Sequence, residues 1–114
     1  MSDDIIYVNV EDGLKRVMNN IKLFSKLLTK FKDDPTYKSI QTTLADGDMA
    51  AAQIATHTFK GLTANLSLAE MYKQCVELEI QIKAGSVKPE QLELFKAVYD
   101  KTLLEVDKVI AQYA

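Results

Sequence analysis

Residues 56–67 read Thr-His-Thr-Phe-Lys-Gly-Leu-Thr-Ala-Asn-Leu-Ser and hold the one histidine of the chain, His57. Taken together with the preceding turn, the segment carries apolar residues at Ala52, Ala55, Phe59, Leu62 and Leu66. Steps of three and four residues put these on one face of an α-helix. At about 100° per residue, His57 falls nearly opposite that face. Its neighbours one and two turns away are Ala50, Gln53, Gly61 and Ala64, with Lys60 beside it. The segment therefore predicts a helix that buries one side and presents an imidazole, small residues and a cation on the other. Gly61 is out of place by propensity alone, since a mid-helix glycine costs about 0.5–1 kcal/mol relative to alanine. Close approach of a bulky partner to His57 explains it.

The helix boundaries follow from the flanking residues. Gly47 is a C-terminal stop and Asp48 an N-cap, so the histidine helix is expected from Met49 to Asn65. Downstream, Ser67-Leu68-Ala69-Glu70 has the spacing of a capping box, and Leu68, Met71, Cys75, Leu78 and Ile82 continue the apolar periodicity through a next helix. Ala84-Gly85-Ser86 ends it. Pro89 suits the first turn of a last helix whose inner stripe is expected at Leu92, Phe95, Tyr99, Leu103, Val106, Ile110 and Tyr113. Upstream, Asn9 is placed to cap a short first helix from Val10 to Met18, with Glu11 and Asp12 in its first turn. Met18-Asn19-Asn20 reads as a break. Ile21, Phe24, Leu27, Leu28 and Phe31 mark a longer helix, interrupted at Asp33-Asp34-Pro35 by a kink or a restart, after which Tyr37, Ile40 and Leu44 line the inner side of Thr36–Ala45. No strand signal, repeat or low-complexity segment is present. Four long amphipathic segments with short connections predict an all-α, up-down-up-down four-helix bundle with a short additional N-terminal helix.

With 114 residues the chain is expected to form one domain, residues 1–114. Apolar residues at 47% and charged residues at 26% are ordinary for a soluble globular protein. A formal net charge of −2 offers no basic footprint for nucleic acid and no polybasic membrane patch. No apolar run approaches the roughly 20 residues that span a bilayer, and the acidic Ser2-Asp3-Asp4 lacks the basic region of a signal peptide, so a cytoplasmic location is expected. One cysteine and one histidine discount an internal disulfide and a structural zinc site.

His57, Lys60 and Gly61, followed by small residues and a leucine, resemble the core of histidine-containing phosphotransfer (HPt) domains, whose pattern is roughly His-x-x-Lys-Gly. The resemblance extends along almost the whole chain. Val10-Glu11-Asp12-Gly13-Leu14 is similar to the opening helix of the family and Leu44-Ala45-Asp46-Gly47-Asp48 to its turn before the histidine helix. Leu68-Ala69, Cys75 and Leu78-Glu79 are similar to its next helix. Leu62 departs from the pattern where a small polar residue is frequent, and Ser67 where glycine is frequent.

The resemblance implies a phosphorelay intermediate, a carrier rather than a turnover enzyme, whose His57 accepts a phosphoryl group through Nε2. The donor is the phospho-aspartate of a response-regulator receiver domain or the phosphohistidine of a hybrid kinase, and the acceptor is another receiver aspartate. It further implies that Lys60 stabilises phosphoryl charge, that Gly61 gives steric access, and that Gln53 and Ala64 belong to the docking surface. No cofactor is expected on this chain, with Mg2+ on the receiver, and a monomer is expected. The alternative is a non-catalytic helical adaptor that docks signalling partners without phosphotransfer.

Overall fold

The break at Met18-Asn19-Asn20 and the interruption at Asp33-Asp34-Pro35 divide the N-terminal third into three helices. The computed structural model describes residues 5–113; the acidic Ser2-Asp3-Asp4 lies outside them. Helix α1 spans Val10–Arg16, α2 Ile21–Lys32, α3 Thr36–Ala45, α4 Met49–Asn65, α5 Ala69–Lys83 and α6 Pro89–Gln112. Asn9 caps α1 by accepting from the amide of Asp12, and Asn20 caps α2 by accepting from that of Leu23. Met18 and Asn19 take positive φ between them, which ends α1 two residues before the expected Met18. At Asp33-Asp34-Pro35 the chain restarts rather than kinks. Asp33 closes α2, and the Asp34 carboxylate accepts from the amide of Thr36 at 2.8 Å to open α3.

Asp48 caps α4 through the amide of Ala51, and Gly47 closes α3 with φ of 74°. The expected capping box at Ser67 does not form. The link between α4 and α5 is so short that Ser67 has to terminate α4: its φ is 58°, its amide donates to Ala64 and the amide of Leu68 donates back to Thr63. That left-handed backbone ends a helix and is not the extended geometry of an N-cap. The Ser67 hydroxyl turns instead to Asp12 of α1, donating at 2.6 Å, while the Glu70 amide is taken by the carbonyl of Ile6. Residues 6–12 thus lie over the α4–α5 turn, with the Asn9 amide bonded to the Ser67 carbonyl.

Short links make α3, α4, α5 and α6 successive antiparallel neighbours. Each packs on the next, and α2 packs on α6, so that α2 and α3 together supply the first wall of the bundle. The result is the all-α helical bundle with a short N-terminal helix. Among the described residues, no helix is long and apolar enough to cross a membrane.

The α5 stripe is buried as expected at Leu68, Met71, Cys75, Leu78 and Ile82. The faces of α4 and α6 are rotated relative to the expectation. On α4 the buried line is Ala52, Thr56, Phe59 and Thr63, with Ala55 and Leu62 at its edge; on α6 it is Phe95, Val98, Thr102, Val106 and Val109, while Leu92 is exposed. Threonine explains the shift. Thr56 and Thr102 return their hydroxyls to the carbonyls of Ala52 and Val98, at 2.7 and 2.6 Å, so each behaves as a small apolar residue in the core.

An aromatic cluster joins the walls. Phe59 of α4 meets Phe31, Tyr37, Phe95 and Tyr99 with ring centroids 5.8–6.2 Å apart. Phe59 and His57 are two residues apart in sequence, and locking one inward fixes the outward direction of the other.

Gly13 and Gly61, both inside helices, predict opposite responses to alanine. A Cβ at Gly13 would lie 2.5 Å from the ring of the buried Phe24, whereas one at Gly61 meets nothing within 4 Å. Gly13→Ala is expected to destabilise the fold by about 1–3 kcal/mol through overpacking, despite alanine's better helix propensity. Gly61→Ala is expected to stabilise it by about 0.5–1 kcal/mol. Urea denaturation of the two variants beside the parent measures both signs.

Candidate functional site

The solvent face of α4 carries the residues singled out in the sequence. The His57 side chain is 70% exposed and opens into a depression of about 370 Å³ lined by Gln53, Ile54, Thr58, Glu79 and Lys83. Gln53 therefore lies with His57. Ala64 does not: it lines a separate opening of about 280 Å³ with Asn9, Asp12, Arg16 and Tyr72, where α1 closes over the junction of α4 and α5. Gly61, one turn beyond His57, is exposed and does not line the opening at His57, and a Cβ there would meet nothing within 4 Å.

Sequence reasoning assigned no role to the residue on which this geometry turns. Glu79 of α5 has a side chain only 6% exposed. Its Oε2 lies 3.2 Å from His57 Nδ1, and its Oε1 accepts from Lys60 Nζ at 2.7 Å. Lys83, one turn further along α5, places Nζ 3.7 Å from Oε2. One buried carboxylate thus gathers the histidine and two lysines from two helices. A signal for it was present: position 79 adjoins the buried Cys75 and Leu78, and a carboxylate so close to a core stripe needs a paired cation.

The protonation pattern follows from these contacts. The hydrogen bond from Lys60 holds the Glu79 carboxyl below its ordinary range, outweighing the opposing effect of burial, and the same bond raises the Lys60 ammonium above its own. Glu79 is therefore an ionised acceptor, and its neighbour Nδ1 must carry the proton. In the neutral form of the ring, the tautomer that this contact selects carries its lone pair on Nε2. Lys60, 25% exposed and bound directly to Glu79, fixes the carboxylate that orients the ring. Cys75 is fully buried behind this cluster, and burial pushes its thiol up to about 12, which leaves it inert as a nucleophile.

Exposed apolar side chains lie in the opening at Ile54 and along the outer side of α5. Ile54, one turn before His57, is 69% exposed, and Tyr72, Val76 and Ile80 follow one another at four-residue steps on the outer side of α5.

Comparison with protein-family models matches the Hpt domain over residues 26–112. Comparisons with curated proteins and with solved structures return no match. Hpt domains are phosphocarrier modules of two-component signalling rather than enzymes, and they interact with receiver domains and kinases in phosphorelays. The match runs from within α2 to the end of α6 and includes the histidine helix whole, so an imidazole oriented by a buried carboxylate on the outside of a helical bundle has its family: this chain belongs to the Hpt domains.

Proposed function

We propose that this protein relays phosphoryl groups through Nε2 of His57, to or from aspartates of response-regulator receiver domains. The observation that carries the reading is the contact between Nδ1 and Glu79 beneath an exposed ring, which in the neutral imidazole directs the lone pair to Nε2. The Nε2 lone pair attacks the phosphorus of an aspartyl phosphate. The phosphorus–oxygen bond breaks with its electron pair retained by the departing aspartate carboxylate, and a phosphorus–nitrogen bond forms. The ring keeps its Nδ1 proton and becomes cationic, and the ionised Glu79 stabilises that charge as it develops.

Phosphoryl transfer mainly requires positioning and neutralisation of oxygen charge, so the divalent metal ion and the aspartate can both come from the receiver. The open space at Gly61 admits that partner, and Ile54 and the outer side of α5 offer it apolar surface. The test is incubation of the full chain with a phosphorylated receiver domain, followed by mass spectrometry under alkaline conditions. The expected product carries one acid-labile phosphoryl group on His57. A chain that docks the receiver yet never gains that mass is an adaptor and overturns the proposal.

A further inference from the structure

Phosphorylation puts a dianionic group on Nε2, and the opening around His57 has to receive it. Lys60, the lysine of the His-x-x-Lys-Gly pattern, is committed to Glu79 at 2.7 Å and is not among the side chains lining that opening. The Thr58 hydroxyl is also committed, donating to the carbonyl of Ile54 at 3.0 Å. The cation in the lining is Lys83. It lies against the same Glu79 oxygen as His57 Nδ1, but at 3.7 Å, a Coulombic contact longer than a hydrogen bond, and its side chain is 58% exposed. It is the last residue of α5, and its flexible stem gives the ammonium freedom to move.

We propose that Lys83 is the residue that contacts the phosphoryl group on His57, exchanging its long contact with Glu79 for the phosphoryl oxygens. The two lysines then divide the work. Lys60 holds the carboxylate that orients the ring, and Lys83 meets the charge that arrives. The transfer stoichiometry is unchanged, since the ammonium neither gains nor loses a proton. Placing a cation against phosphoryl oxygens favours the phosphorylated state, and solvent exposure keeps the effect moderate.

This inference rests on phosphorylation of His57, and the test separates the two by using a small donor that needs no partner. The full-length parent, Lys83→Gln, Lys83→Arg and the control Lys73→Gln are treated with potassium phosphoramidate and followed by 31P NMR and intact mass. Lys73 sits on the same helix, 74% exposed and outside the opening. Expected for Lys83→Gln are labelling about tenfold slower and a second phosphoryl ionisation moved to higher pH, with Lys83→Arg restoring both and Lys73→Gln resembling the parent. A purely structural role would not move the phosphoryl ionisation. If Lys83→Gln labels and titrates like the labelled parent, the role of Lys83 is wrong and the carrier reading stands. If the parent takes no label on His57 from either phosphoramidate or a phosphorylated receiver, both fall.

Discussion

A chain carrying His57→Gln is expected to take up no phosphoryl group, and one carrying Glu79→Ala is expected to take it up about 10²-fold more slowly while remaining helical. The first result follows because glutamine has no ring nitrogen to attack phosphorus. The second follows because alanine at position 79 removes the acceptor that selects the Nδ1–H tautomer and holds the ring. It also frees Lys60 to move, and leaves the positive charge that develops on the ring without its counter-ion. Glu79→Gln retains one oxygen that can accept from Nδ1 but loses the charge and the second oxygen that accepts from Lys60, so its rate is expected between those of the parent and Glu79→Ala. Single-turnover transfer from a phosphorylated receiver measures all three.

The same cluster predicts the pH dependence of stability. Because the Glu79 carboxyl is held below its ordinary 4.5, its contribution is complete above that value and is lost as pH falls through the depressed native one. Because Lys60 is raised above 10.5, its contribution is complete below that value and is lost as pH rises through the raised one. In Glu79→Ala both dependences on this pair are expected to disappear, which denaturant midpoints measured across pH will register.

The second large effect is structural. Phe59→Ala is expected to destabilise the protein by about 3–5 kcal/mol, lowering the melting temperature by about 10–20 °C. Phe59 is 1% exposed and packs against aromatic rings from α2, α3 and α6, so truncation opens a cavity bounded by three other helices. Leu92→Ala, on the last helix and 38% exposed, is expected to cost much less, although periodicity alone placed it in the core stripe. Thermal melts of the two variants compare a residue whose burial was legible with one whose burial was misread.

How far the sequence could be read depended on the range of the interaction concerned. Helix ends rest on residues a few positions apart, and Asn9, Asn20, Gly47 and Asp48 act in the structure as their local chemistry requires. The outward placement of His57 is equally local, since the apolar periodicity of α4 sets it. Even the rotation errors on α4 and α6 have a local origin, because threonine hides in a core once its hydroxyl bonds to its own helix.

By itself, then, the sequence determined the helices, their antiparallel order and which residue faces water, all consequences of spacing along one chain segment. Only the tertiary structure decided what the exposed histidine touches. Glu79 lies 22 residues from His57 and 19 from Lys60 and reaches them because α4 and α5 pack side by side. The same packing committed Lys60 to a carboxylate, put Lys83 into the opening, and gave Ser67 to α1 instead of to the helix that follows it. Spacing of three and four residues reports which face of a helix is buried and is silent about which other helix supplies the partner, so the pairing at the site was set by packing.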